Sequence, residues 1–257
     1  MQRIAALRVA PVKALGSVLR DRIALETQGV AEDRRLFLLG SDGSVVTQRK
    51  HPRLAGVAPD LDLQAGTLGV AFPDGTTVTS TMHATGETLH ASLFGKDRSG
   101  RLVPGQVADA LSDFVAEPLK LVLADVTGNG WDEGPVSILT RASAEAVDPP
   151  SEKPGGIPGS PDTARFRMLV EVDGAEPYEE DSWVGRPLRL GEALVRVTHS
   201  LERCVVINHS PATGQRDWAG VKTLALRRGR ELVCLGVIAQ VERPGELRVG
   251  DVVQVLS

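Results

Sequence analysis

Short apolar runs, each closed by glycine, proline or aspartate within about four to eight residues, recur along almost the whole chain. That punctuation admits strands and tight turns and leaves little room for long helices. Residues 4–12 read as an opening strand that stops at Pro11-Val12-Lys13. Arg35-Leu36-Phe37-Leu38-Leu39 and Val45-Val46-Thr47 flank Ser41-Asp42-Gly43, a hairpin signal. Leu61, Leu63, Leu68, Val70 and Phe72 alternate between turns at Gly66 and Pro73-Asp74-Gly75, which predicts a meander ending near Thr81. Further strands are expected over 119–123, 166–172, 187–190, 194–198, 204–207, 232–241 and 247–256.

Helical periodicity is confined to three places. Val107, Ala110, Leu111, Phe114 and Val115 share one face over 106–116, between Pro104 and Pro118. Thr140 is a plausible cap for a short helix over 142–147, and a third helix fits 221–228. The stretch 148–163 is rich in proline and glycine and reads as a mobile, solvent-facing loop and a candidate gate. The expected fold class is mainly β with a few short helices, rich in β-barrel. The 257 residues suffice for one large or two small domains. A weak boundary near 95–120 divides them into 1–100 and 101–257.

Composition removes several function classes. A net charge of −4 and an aromatic content of 4% lack the basic footprint and stacking platforms of a nucleic-acid binder. No apolar run approaches the ~18 residues of a membrane span. Residues 1–13 lack a signal-peptide pattern, so no membrane and a cytoplasmic location are expected. Two cysteines are too few for a disulfide framework or a four-thiolate zinc site. There is no Gly-x-Ser-x-Gly elbow and no Walker loop, and Gly128, Gly130 and Gly134 are out of step with the dinucleotide fingerprint. His199, Cys204 and His209 are evenly spaced, but on one extended strand residues 199 and 204 face opposite ways.

Three separated pieces are more specific. The first is Pro11-Val12-Lys13. The second is Gly29-Val30-Ala31-Glu32-Asp33-Arg34-Arg35, followed by Val46-Thr47-Gln48-Arg49. The third is Glu202-Arg203-Cys204, with Asp181-Ser182-Trp183 and Gly185 before it and Thr213-Gly214 after it. In this order and spacing, with Pro244-Gly245-Glu246-Leu247-Arg248-Val249-Gly250-Asp251 as a closing hairpin, they resemble the MOSC family. That domain is named after the C-terminal part of molybdenum-cofactor sulfurase, here preceded by its N-terminal β-barrel companion. The resemblance implies a smaller N-terminal β-barrel domain over 1–100 and a MOSC-type β-barrel over 101–257.

Members similar to the mitochondrial amidoxime-reducing component hold a molybdopterin-type molybdenum cofactor and reduce N-hydroxylated compounds. By resemblance, Cys204 is the metal ligand and catalytic residue. Lys13, Arg34 and Arg167 hold the phosphate-bearing tail, and Thr47 and Ser137 are further cofactor contacts. The residue types suit those tasks. Thiolate is a soft ligand that molybdenum takes well, while arginine offers phosphate a bidentate fork and lysine a point charge.

The implied activity is a molybdenum-cofactor-dependent oxidoreductase acting on a small N-oxygenated substrate. The alternative is a sulfur carrier bearing a persulfide on Cys204 and served by a cysteine desulfurase; a third reading is a cofactor-binding or storage module. No iron–sulfur cysteine set is present, so a reductase requires external redox partners. Two departures stand out: Ala14 replaces a frequent serine, and Met168-Leu169 replaces a frequent Pro-Asn after Arg167. Cys234 reads as a core residue, Asp33 as a brace for Arg34 or a ligand contact, and Trp183 as a packing anchor. On a regular strand Arg203 points away from the face that carries Cys204.

Overall fold

Ile4 and Leu7 break the two-residue alternation of a strand, yet both are buried in the same core. A register shift between Ile4 and Ala6, against the facing strand Val170–Asp173, turns both side chains inward. The strand they belong to, Arg3–Val9, lies in an eight-stranded sheet. The computed structural model describes residues 1–93, 95–128, 130–147, 162–229 and 233–256. Among these the chain is mainly β, with three short α-helices, Gln106–Val115, Arg141–Val147 and Gly220–Arg228.

The large sheet runs in the order Val253–Val255, Pro187–Leu190, Ala193–Glu202, Cys234–Arg243, Val136–Thr140, Val170–Asp173, Arg3–Val9 and Val18–Arg20. Its one parallel pair is Val136–Thr140 beside Val170–Asp173. The amide of Ile4 donates to Asp251 O at 2.8 Å, and those of Gly250 and Val253 to Ile4 O and Gln2 O at 2.8 and 3.0 Å. These bonds join the first strand to the last segment and close the sheet into a barrel without a free edge there. Leu7, Ile138, Val170, Val195 and Val237 fill it, with Trp183 at 1% exposure as a packing anchor.

A second core lies between the four-stranded sheet (Leu36–Leu39, Lys120–Ala124, Lys96–Leu102, Thr88–Leu93) and the meander Ala58–Asp62, Thr67–Ala71, Thr77–Thr81. Leu36, Leu38, Leu54, Leu68, Leu121 and, from the helix, Leu111 meet there. The two cores are joined at a seam. Past Val9 the chain runs beside Leu36: Lys13 N donates to Leu36 O at 2.8 Å, Leu36 N to Pro11 O at 3.0 Å, and Arg34 N to Ala10 O at 2.7 Å. The opening strand thus belongs to the barrel while its continuation edges the other unit.

Several expected strands are corrected. Residues 45–47 form no strand: the hairpin arm makes the isolated bridge Leu39↔Val45 and the bond from Val46 N to Leu38 O at 2.8 Å, and the rest of that edge of Leu36–Leu39 is taken by residues 11–13. Residues 204–207 are not a strand: the strand ends at Glu202, and the 3-10 helix Val205–Asn208 follows Cys204. The span 166–172 divides into the 3-10 helix Thr163–Phe166 and the strand Val170–Asp173. The last strand, expected over 247–256, divides into Gly245–Arg248, paired with Arg22–Leu25, and Val253–Val255. Residues 148–161 of the proline-rich stretch lie outside the described residues. No helix among the described residues is long and apolar enough to cross a membrane.

Leu7, with no exposed surface, anchors the barrel core. Leu7→Ala is expected to cost about 2–5 kcal/mol and to lower the melting temperature in thermal denaturation. Leu63→Ala, at a residue 42% exposed, is expected to stay within about 0.5 kcal/mol of the parent. Equal melting temperatures for the two variants would contradict this placement of the core.

Candidate functional site

A cavity of about 470 Å³ opens at the seam, and Lys13, Arg34, Thr47, Ser137, Arg167 and Cys204 all line it. Each arrives on a different piece of backbone. Lys13 comes from the continuation of the first strand, and Arg34 from the segment that enters Leu36–Leu39. Thr47 opens a turn whose carbonyl accepts the amides of Lys50 and His51, each at 3.1 Å. Ser137 sits on the barrel strand Val136–Thr140, where its Oγ accepts the Leu169 amide at 2.9 Å. Arg167 caps Thr163–Phe166, and Cys204 stands between the end of Ala193–Glu202 and the next 3-10 turn.

Three cations crowd one end. Lys13 Nζ lies 2.5 Å from Asp132 Oδ1 and 3.1 Å from Gly130 O. Arg34 pairs with Asp33 and reaches Arg167 O at 3.3 Å. Arg167 Nη1 donates to Leu15 O at 2.7 Å. Asp33 also accepts the Ala10 amide at 2.9 Å, so it braces Arg34 as well as lining the cavity. Burial pulls the Lys13 ammonium below the ordinary lysine value, with Asp132 opposing and Arg34 and Arg167 adding to the pull. Burial, then the like charge of Arg34, brings Arg167 down to about 10. Burial also works against Arg34, but Asp33 and Asp132 outweigh it and hold that guanidinium above its usual range.

The backbone here is unusual. Of the five non-glycine residues with positive φ among the described residues, Ala14 (77°), Arg34 (49°) and Arg167 (56°) line this cavity. Such conformations cost about 1–3 kcal/mol each and persist where the surroundings over-determine them. The surroundings do so: Gln48, 7% exposed, donates through Nε2 to Ala14 O at 2.8 Å and to Leu15 O at 3.3 Å.

At the other end Cys204 is a half-buried free thiol. Arg203 lines the same cavity, which corrects the regular-strand expectation. The strand stops at Glu202, so alternation no longer governs residues 203 and 204. Arg203 Nη2 donates to Phe166 O at 2.6 Å, its guanidinium lies 5.6 Å from the Phe166 ring centre, and burial draws its pKa to about 10. Arg203 Nε and Trp131 Nε1 are buried and lack a partner among the described residues. Cys234 is half-buried, does not line the cavity, and has its thiol pushed up by burial. Met168 and Leu169, each 1% exposed, join apolar cores, so the place of the frequent Pro-Asn is taken up by packing. Asp181 is bound to Arg228 at 2.6 Å and does not line the cavity.

Sequence reasoning missed Asp132, Trp131 and the positioning role of Gln48. Gln48 lay inside a quoted motif. Trp131 and Asp132 lay just ahead of Ser137, in a segment read only against the dinucleotide fingerprint.

The family models of the MOSC N-terminal beta barrel domain and the MOSC domain match residues 1–118 and 125–254. The chain belongs to the MOSC family. It is 25% identical to a molybdenum cofactor sulfurase of Oryza sativa subsp. japonica, over 91% of this chain and 32% of the relative. It is 26% identical to the mitochondrial amidoxime reducing component 2 of Macaca fascicularis, over 96% of this chain and 82% of that protein. It is 23% identical to the mitochondrial amidoxime-reducing component 1 of Mus musculus, over 99% and 82% respectively. The chain therefore spans about a third of the rice protein's length.

Gathering buried cations opposes folding, because each charge loses its hydration. Asp132 is 52% exposed and can re-hydrate without its partner. Lys13→Met is therefore expected to raise the stability of cofactor-free protein at neutral pH by about 1 kcal/mol or more. The sign with pH follows from linkage. The unfolded chain holds the Lys13 proton up to the ordinary value of about 10.4 while the native chain releases it earlier. Wild-type stability therefore gains on the variant as pH rises through that window, and the difference shrinks. Denaturant titrations at neutral and alkaline pH measure it; a difference that widens with pH contradicts the sign.

Proposed function

We propose that this cavity holds a molybdopterin-type molybdenum cofactor and that the protein is an oxidoreductase for small N-oxygenated compounds. One observation carries the reading: a free thiol and a cradle of three buried cations line a single cavity. The fit is chemical. The cradle suits a phosphate tail, the thiol a soft metal, and the orphaned donors Trp131 Nε1 and Arg203 Nε an oxygen- or nitrogen-rich ligand. Relatives named as amidoxime reducing components and as a molybdenum cofactor sulfurase support the choice of cofactor.

When bound, that cofactor supplies two-electron oxygen-atom transfer at its metal. The chain's own groups bind and orient. Lys13, Arg34 and Arg167 hold the phosphate, Thr47 and Ser137 offer hydroxyls, and Cys204 provides the protein thiolate to the metal. Phe166, Leu201 and Ile238 add apolar surface to the same cavity. Reduction of an N-hydroxy compound consumes two electrons and two protons and yields the N–H compound and water. The electrons come from a separate redox partner, since the chain's two cysteines cannot hold an iron–sulfur relay.

A second reading keeps Cys204 and changes its cargo. A half-buried thiol beside a buried guanidinium also suits a persulfide received from a cysteine desulfurase. Protein made with an intact cofactor pathway is expected to carry close to one molybdenum per chain and to reduce benzamidoxime with a chemical electron donor. Cys204→Ala is expected to lose that activity while melting at the parent temperature. Metal-free protein with a labile sulfur adduct on Cys204 after desulfurase treatment would favour the carrier, and an active Cys204→Ala variant would overturn the reductase.

A further inference from the structure

The segment around Asp132 has a closely packed backbone and an exposed side chain. A Cβ on Gly130 would fall 2.2 Å from Arg34 O, so the two backbones meet closely there. Trp131 O accepts Arg98 Nη2 at 2.9 Å, and the indole lies so close over Gly29 that a Cβ there would come within 2.5 Å of it. Between these contacts the Asp132 side chain is 52% exposed, although its partner Lys13 is 6% exposed. Its carboxylate can turn from Lys13 to water with no movement of the main chain.

Asp132 sets part of the charge that the cradle offers an anion. Lys13, Arg34 and Arg167 bring three positive charges, Asp33 is fixed by Arg34 and the Ala10 amide, and Arg98 and Arg203 act on the same cluster. With Asp132 on Lys13 the cradle holds one positive charge fewer than with Asp132 in water. A phosphate monoester carries nearly two negative charges at neutral pH, since its second pKa is about 6. A phosphodiester carries one.

We propose that Asp132 is a displaceable internal anion that competes for Lys13 and turns to solvent when a phosphate group binds, so that it weakens anion binding, and that of a dianion more than that of a monoanion. This rests on the reading of the cradle as an anion site. Asp132 then tunes the cradle's affinity for anions, acting through the charge it removes from or returns to the cradle.

Inorganic phosphate and dimethyl phosphate, titrated calorimetrically into cofactor-free full-length protein at pH 7.5, test it. Asp132→Asn is expected to bind inorganic phosphate about tenfold more tightly than wild type, the scale of an ordinary coupling between two groups. Dimethyl phosphate is expected to gain less. Adding Lys13→Met to Asp132→Asn should return phosphate affinity to the wild-type level or below. Asp132→Ser serves as the second variant if the asparagine form melts early. Unchanged or weaker phosphate binding in these variants overturns the inference, the weaker case meaning that Asp132 only orients Lys13. Failure of all of these proteins, Asp132→Asn included, to bind phosphate at millimolar concentration overturns the anion site itself, and this inference with it.

Discussion

Like charges brought together out of water are the costliest feature of this protein, and the seam between its two cores is built around them. Lys13 and Arg167 are both drawn below their ordinary proton affinities by burial and by neighbouring positive charge. Arg34 escapes because Asp33, held against it by the Ala10 amide, and Asp132 together outweigh its burial. Left-handed backbone at Ala14, Arg34 and Arg167 adds strain in the same place. A chain selected for stability alone would fill such a volume with aliphatic side chains.

The topology explains how these positions are enforced. The first strand is committed to the barrel by its ladder with Val170–Asp173 and by its bonds to residues 250–253. Its continuation, three residues later, is committed to Leu36 in the other unit. Neither unit can shift against the other without breaking one of these sets, so the cavity between them is held from both sides. Gln48, reaching back to Ala14 and Leu15, adds a third restraint on the segment that carries Lys13.

Much of this was legible in the sequence, for identifiable reasons. Periodicity located the helices Gln106–Val115 and Gly220–Arg228 almost to the residue, because proline, glycine and an amphipathic face mark their ends or sides. Lys13, Arg34, Thr47, Ser137, Arg167 and Cys204 were singled out by resemblance, and the fold brings them to one cavity. Residues 203 and 204 were misplaced because alternation holds only inside a ladder, and the ladder stops at Glu202. The hairpin arm at 45–47 is cut short for a related reason: residues 11–13 bond to Leu36 on the same edge, which leaves the arm only Leu38 and Leu39. Asp132 left no local signal at all, since its meaning lies in a contact 119 residues away in sequence.

The central claim is that the Cys204 sulfur and the cationic cradle serve one bound molecule. Mass-spectrometric measurement of iodoacetamide labelling tests it most directly, on full-length protein purified with and without its cofactor. The account predicts that Cys204 is labelled in the cofactor-free protein and protected in the loaded one, while Cys234, outside the cavity, labels alike in both. Equal labelling of Cys204 in the two preparations, with the cofactor still bound, would contradict it.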